Sequence, residues 1–193
     1  MLEEFHKKFP VFREKLLAPF LFKINPAYIS LLALIFAGAA GYFFYQQMFL
    51  LAGISVLLNG FFDILDGEIA KKFGSASVFG DFLDHTFDRL ADVAMFAGVA
   101  LLPQIPVWLG WPAIILVLLV SYLGTQAQAL TGKRLYSAWM GRGDRIIVLT
   151  VAGLLAAYFG VVVLYYALLL VLILSAVTFV HRFWAIYRDI SKK

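Results

Sequence analysis

The chain has 193 residues, 63% of them hydrophobic and only 15% charged, with a mean hydropathy of +0.88 and a formal net charge of +4. That balance excludes the soluble globular class and describes one compact polytopic membrane domain. The absence of Cys excludes a thiolate metal site and fits a reducing compartment, and without an extended basic surface outside short loops a nucleic-acid partner has no support.

Residues 1–23 mix Phe5, Phe9, Val11, Phe12, Leu16 and Leu17 with basic side chains. The pattern is too interrupted by charge for a cleavable signal peptide and predicts an amphipathic helix lying in the headgroup layer. Residues 24–193 then read as a six-helix transmembrane domain. Apolar stretches of spanning length fall at Ala27 to Tyr45, Phe49 to Ala70, Phe82 to Leu102, Pro112 to Leu130, Ile146 to Phe159 with its flanks, and Val161 to Phe183. The last two are nearly fused, with the turn expected around Tyr158, Phe159 and Gly160. Fifteen of the sixteen Lys and Arg residues lie before the first stretch, between the second and third, between the fourth and fifth, or from the last residues of the sixth onward. The positive-inside rule therefore places both termini and those connections in the cytoplasm. Trp108 and Trp111 read as anchors at the opposite interface.

Seven of the twelve acidic residues lie between Asp63 and Asp92, inside or at the ends of apolar stretches. An ionised Asp in a spanning helix costs about 2.5–3.5 kcal/mol even on lenient scales, so such a cluster needs a cavity, a counter-charge or a metal. Asp63 and Asp66 are three residues apart, Asp84 and Asp88 four, and either spacing stacks two side chains on one helical face. Two such stripes on neighbouring helices make a nest of oxygen ligands suited to Mg²⁺ or Mn²⁺. Asp81 and Asp92 extend the second stripe and read as polar support rather than ligands. Arg89 reads as a partial counter-ion for Asp88. His85 points about 100° away from Asp84 on a helix, so a packing role is expected. Asn59 reads as a polar contact between helices.

The run Asp63-x-x-Asp66-Gly67-x-x-Ala70-Lys71, eight residues, Gly80-x-x-x-Asp84-x-x-x-Asp88 resembles the signature of the CDP-alcohol phosphotransferases, membrane enzymes of phospholipid synthesis. Every Asp and Gly matches at its spacing. Lys71 stands where the family has Arg, which keeps the charge but loses the bidentate fork. The resemblance implies transfer of the phosphatidyl-type group of a CDP-linked lipid to an alcohol hydroxyl with release of CMP, two Mg²⁺ or Mn²⁺ ions, and a homodimer. It implies Asp63, Asp66, Asp84 and Asp88 as metal ligands, with Asp88 also the catalytic base. For the CDP-lipid it implies Asp66, Gly67, Ala70, Lys71 and Gly80, and Ser30 by a similar segment at the start of the first helix.

Gly141 to Arg145 and Arg182 resemble the acceptor-phosphate pocket of the family's polyol-phosphate branch, which includes the phosphatidylinositol-phosphate synthases. Ser121, Arg142, Arg145 and Arg182 are the implied phosphate contacts, since guanidinium groups present planar donor sets to phosphate oxygens. Topology alone explains the same arginines as positive-inside anchors. Gly124 stands where the inositol-phosphate branch has Lys, so glycerol phosphate or another polar alcohol stays open beside inositol phosphate. The rival from another class is a divalent-cation transporter, because intramembrane Asp clusters also mark ion pathways. A transport site belongs near the midplane with access to both faces, whereas these carboxylates begin at the inner ends of two helices.

Overall fold

Asn25 opens the first long helix. Its side-chain oxygen accepts a hydrogen bond from Ala27 N at 3.0 Å, and Pro26 follows at the first helical position, where a missing N–H forfeits no helical bond. The computed structural model describes residues 18–74, 77–132 and 139–191. Among them are six long helices: α1 (Pro26–Tyr45), α2 (Phe49–Lys72), α3 (Val78–Ala100), α4 (Val107–Thr131), α5 (Arg142–Phe159) and α6 (Val162–Ile190). A short 3-10 turn, Ala18–Phe20, precedes α1, and Phe20 meets Phe61 of α2 edge to face at 5.3 Å between centroids. The rest of the surface helix expected over residues 1–23 lies largely outside the described residues.

The expectation of six membrane spans is corrected. The protein is an all-α, polytopic integral membrane protein, but among the described residues only α1, α2, α4 and α6 are long and apolar enough to cross a membrane by length and composition. The other two fail because of charge. Asp81, Asp84, Asp88, Arg89 and Asp92 all lie on α3, and the 18 residues of α5 carry Arg142, Asp144 and Arg145. Reading apolar stretches with generous flanks counted these helices on their hydrophobic halves alone.

Local chemistry sets the helix ends. Ser77 Oγ accepts from Gly80 N at 3.0 Å to start α3, and the Asp144 carboxylate accepts from Gly141 N at 3.0 Å at the start of α5, where negative charge meets the positive end of the helix dipole. Gly160, at φ 76°, makes the turn between α5 and α6 at the position expected.

The helices close into a ring. Around it, α1 packs on α2, α2 on α5, α5 on α6, α6 on α4, α4 on α3, and α3 back on α1. Lipid tails are as apolar as Leu, so helix contacts in a membrane depend on close approach and interhelical hydrogen bonds rather than on expelling water. Glycine supplies the approach at two crossings. A Cβ on Gly98 of α3 would overlap the backbone of Gly41 on α1, and one on Gly153 of α5 would lie 2.8 Å from Gly53 Cα on α2. Asn59 adds the polar link that its position in α2 foreshadowed, its buried Nδ2 donating to Ala33 O of α1 at 2.9 Å. Such bonds in membrane proteins contribute about 0.6 kcal/mol on average.

Candidate active site

All six helices bring polar side chains to one end of the ring interior. Asp63 and Asp66 come from the last turns of α2, and Asp84 and Asp88 from the first turns of α3. The four carboxylates line one narrow pocket with Ser30 of α1 and Arg142 of α5. Asp66 and Asp88 are buried, while Asp63 and Asp84 are half-buried. Ser30 Oγ lies 2.5 Å from Asp66 Oδ2 and 3.2 Å from Pro26 O; with one proton to give, it donates to the shorter, charged acceptor. Asp88 is flanked by cations at both oxygens, with Arg142 Nη1 at 2.6 Å from Oδ1 and Arg89 Nη1 at 3.4 Å from Oδ2. Arg142 Nη2 also donates to Asp63 Oδ1 at 3.0 Å.

The donor set fits a hard divalent cation. Asp84, His85 and Asp88 can each present a ligand atom within 4.8 Å of the other two, and Asp63 and Asp66 face the same pocket. Carboxylate oxygens dominate, as Mg²⁺ and Mn²⁺ prefer, and Mn²⁺ also tolerates an imidazole. His85 is the residue that sequence reasoning set aside. Neighbouring Cβ atoms on a helix do diverge, but the imidazole reaches back along the helix, leaving Nδ1 3.9 Å from Asp84 Oδ2 and Nε2 3.7 Å from Asp81 Oδ1.

The three arginines assigned to one acceptor pocket have three different sets of partners. Arg142 sits in the carboxylate nest. Arg145 is buried, with Nη2 3.0 Å from Asp92 Oδ2 and 3.2 Å from Ser121 Oγ, and Nη1 donating to Val117 O at 3.0 Å. Arg182 Nη1 donates to Val120 O at 2.7 Å and lies over Gly124, where a Cβ would come within 3.0 Å of the same nitrogen. Arg89 Nη2 reaches Ser121 O at 3.5 Å. Arg89, Arg145 and Arg182 thus converge on one stretch of α4, residues 117–124, while Ser121 serves as a support for Arg145. Asp92, read only as polar support, proves to be a buried partner of that arginine.

Among the residues expected at the CDP-lipid, Ser30 and Asp66 meet directly. A Cβ on Gly67 would find no atom within 4 Å, whereas one on Gly80 would meet Ser77 Oγ at 3.2 Å. Ala70 lies one position before Lys71, whose Nζ is exposed and 3.4 Å from Glu68 Oε1. Beside the nest, a cleft of about 630 Å³ runs between α3 and α4, lined by Asp81, Phe82, His85, Arg89 and Thr125 among others.

A carboxylate nest at the end of a membrane helix ring, closed on its far side by guanidinium groups, suits a divalent cation and a phosphate. The CDP-alcohol phosphatidyltransferase family model matches residues 23–191. The chain is 35% identical over 164 residues to the archaetidylinositol phosphate synthase of Pyrococcus horikoshii, covering 82% of this chain and 81% of that protein. It is also 35% identical over 150 residues to the phosphatidylinositol phosphate synthase of Cutibacterium acnes, covering 69% of this chain and 70% of that protein. Its fold is similar to that of the Mycobacterium tuberculosis phosphatidylinositol phosphate synthase with CDP-DAG bound, at TM-score 0.76 and 23% identity, over 85% of this chain and 87% of that one. The same enzyme in complex with manganese and citrate gives 0.76 and 23%, over 85% and 83%. The chain belongs to the CDP-alcohol phosphatidyltransferase family, close to its phosphatidylinositol-phosphate and polyol-phosphate synthase branch. It transfers a phosphatidyl-type group from a CDP-linked lipid to a polar alcohol with a divalent metal as cofactor. Family membership removes the ion-transporter reading.

Proposed function

We propose that the acceptor is a phosphorylated polyol of the inositol phosphate class and that the reaction occurs at Asp88. The observation that carries this reading is the gathering of Arg142, Arg145 and Arg182 near the carboxylate nest, in a chain whose named relatives from Pyrococcus horikoshii and Cutibacterium acnes are inositol phosphate lipid synthases. Arg182 and Arg142 supply the charge that receives the acceptor phosphate, with Arg145 and Ser121 behind them. The cleft beside Asp88 gives the acceptor hydroxyl a route to that carboxylate.

Asp63, Asp66, Asp84 and Asp88 would hold two divalent ions, Mg²⁺ or Mn²⁺, which when bound supply charge neutralisation for the pyrophosphate and the leaving CMP. Ser30 fixes the orientation of Asp66 through its hydrogen bond. Ser30, Asp66, Gly67, Ala70, Lys71 and Gly80 bind the cytidine diphosphate, the open side of Gly67 admitting the nucleotide. The acceptor oxygen forms a bond to the lipid-linked phosphorus, the bond from that phosphorus to the CMP oxygen breaks, and the acceptor proton passes to the Asp88 carboxylate. Arg142 and Arg89 stand against the two Asp88 oxygens as counter-charges.

The site and both termini face the cytoplasm, as fifteen of the sixteen Lys and Arg residues imply by position. Residues 24–193 form the catalytic domain, and the protein works as a homodimer. The test is CMP release by the purified protein from CDP-diacylglycerol, offered inositol phosphate, glycerol phosphate or unphosphorylated inositol. Turnover with inositol phosphate alone is the expected result; turnover with unphosphorylated inositol at an equal rate rejects the phosphate pocket.

A further inference from the structure

We infer that the buried Asp92–Arg145 pair is a positioning device that sets the register of α5 against α3 and so holds Arg142 on Asp63 and Asp88. The first ground is inaccessibility. Arg145 is 2% exposed and Asp92 1%, so neither reaches a substrate, and any effect on the reaction runs through another residue.

The second ground is topology. In the ring, α3 and α5 are not among the closely packed neighbours, so backbone contact does not fix how far one sits along the other. Side-chain ion pairs span the gap. Both helices begin at the site end and run away from it, Asp92 lies one turn beyond Asp88, and Arg145 one turn beyond Arg142. The result is a two-rung ladder, with Arg142 Nη1 on Asp88 Oδ1 at 2.6 Å and Arg145 Nη2 on Asp92 Oδ2 at 3.0 Å. The outer rung is the more exposed of the two and faces the reaction. The inner rung is sealed, and the guanidinium fork of Arg145 is pinned further by Val117 O and Ser121 Oγ of α4, which fixes its rotation.

The third ground is energetic. The Asp92 contact is an ion pair without an aligned hydrogen bond, and a buried pair of this kind often contributes no more stability than two apolar side chains of the same volume. Its distinctive contribution is then geometric specificity, a role buried ion pairs and polar groups serve elsewhere as register-setting devices.

This inference rests on the assignment of Asp88 to the reacting centre, and its test separates the two. Asp92→Leu/Arg145→Met replaces the pair by apolar side chains and should yield folded protein with the elution volume of the parent. Its kcat for CMP release from CDP-diacylglycerol, with the best acceptor, should fall about tenfold or more while the KM for CDP-diacylglycerol stays within about twofold. Placed in an Arg142→Ala background, the same double change should cost no more than about a further twofold, because the contact it protects is already gone. Parent-like kcat, an equal loss in both backgrounds, or a rise confined to the acceptor KM overturns the inference. Should the apolar pair fail to fold, Arg145→Lys keeps the charge on Asp92 but gives up the fork on Val117 and Ser121; undiminished kcat in that variant also overturns it. Asp88→Asn, assayed in parallel, reports on the centre itself: full turnover there rejects the site assignment regardless of the ladder.

Discussion

Arg142 and Asp88 meet at 2.6 Å, and the same guanidinium donates to Asp63 at 3.0 Å, so one cation from α5 stands against a carboxylate from each of α2 and α3. Removing it leaves two enclosed carboxylates facing each other. Arg142→Ala should therefore destabilise the protein by about 3–5 kcal/mol, the cost of breaking a buried pair on one side. Arg142→Lys should recover part of this, since it keeps the charge without the fork. Denaturant unfolding in detergent gives both values, and a parent-like midpoint for the Ala variant would contradict the account.

Chelation is the direct test of the metal. Activity should disappear in excess chelator and return with Mg²⁺ or Mn²⁺, because the four carboxylates otherwise repel a pyrophosphate. Asp66→Asn should weaken metal and CDP-lipid binding together, whereas Asp88→Asn should abolish turnover and leave CDP-lipid binding largely intact. Calorimetric titration of metal and lipid against both variants distinguishes these roles.

Ser30→Ala removes a hydrogen bond to a charged group, an interaction contributing about 1.5–3 kcal/mol. Because Ser30 holds Asp66 across helices α1 and α2, the apparent affinity for CDP-lipid should fall about tenfold to a hundredfold. The acceptor KM should be unchanged. An equal rise in both constants would place Ser30 in general packing instead.

Gly124 is where the acceptor preference is exposed to substitution. A side chain there meets Arg182 Nη1 at 3.0 Å, so Gly124→Ala should shift the arginine off its 2.7 Å bond to Val120 O and raise the acceptor KM while sparing that for CDP-lipid. Gly124→Lys adds like charge beside Arg182 and should change the ranking of inositol phosphate against glycerol phosphate. Identical rankings in parent and Lys variant would show that position 124 has no part in acceptor choice.

The glycine crossing of α1 and α3 tolerates no side chain. Gly98→Val drives a branched group into the Gly41 backbone and should cost at least about 1–3 kcal/mol, lowering the thermal midpoint and activity together. Gly38→Val on α1, where a Cβ has no atom within 4 Å, is the matched control and should stay within about 0.5 kcal/mol of the parent.

The carboxylate nest was legible because Asp63, Asp66, Asp84 and Asp88 lie within 26 residues, and helical periodicity turns their spacing directly into shared faces. The six helices were legible for the same reason, from apolar length. What composition decided differently was which of them cross the membrane, since α3 and α5 carry their charge inward on the ring. The partners of Arg142, Arg145 and Arg182 were not legible. Arg142 reaches Asp63 across 79 positions and Arg182 reaches Val120 across 62, and no local pattern tells a guanidinium bound to a headgroup phosphate from one bound to a buried carbonyl or carboxylate. Asp92 fell outside the motif and carried no sign of Arg145.

The long sequence separation between the acids and their cations has a consequence for biogenesis. The ribosome delivers α2 and α3 with their Asp residues well before α5 and α6 bring Arg142, Arg145 and Arg182. Until then the half-made bundle holds surplus negative charge, and the ring cannot close, because α5 is the piece that joins α2 to α6. Chains ending after α4 should accordingly be recognised by membrane quality control and degraded, while chains ending after α5 should persist longer. Pulse-chase of two stop-codon variants, placed just before Arg142 and just after Gly160, measures that difference as a lifetime.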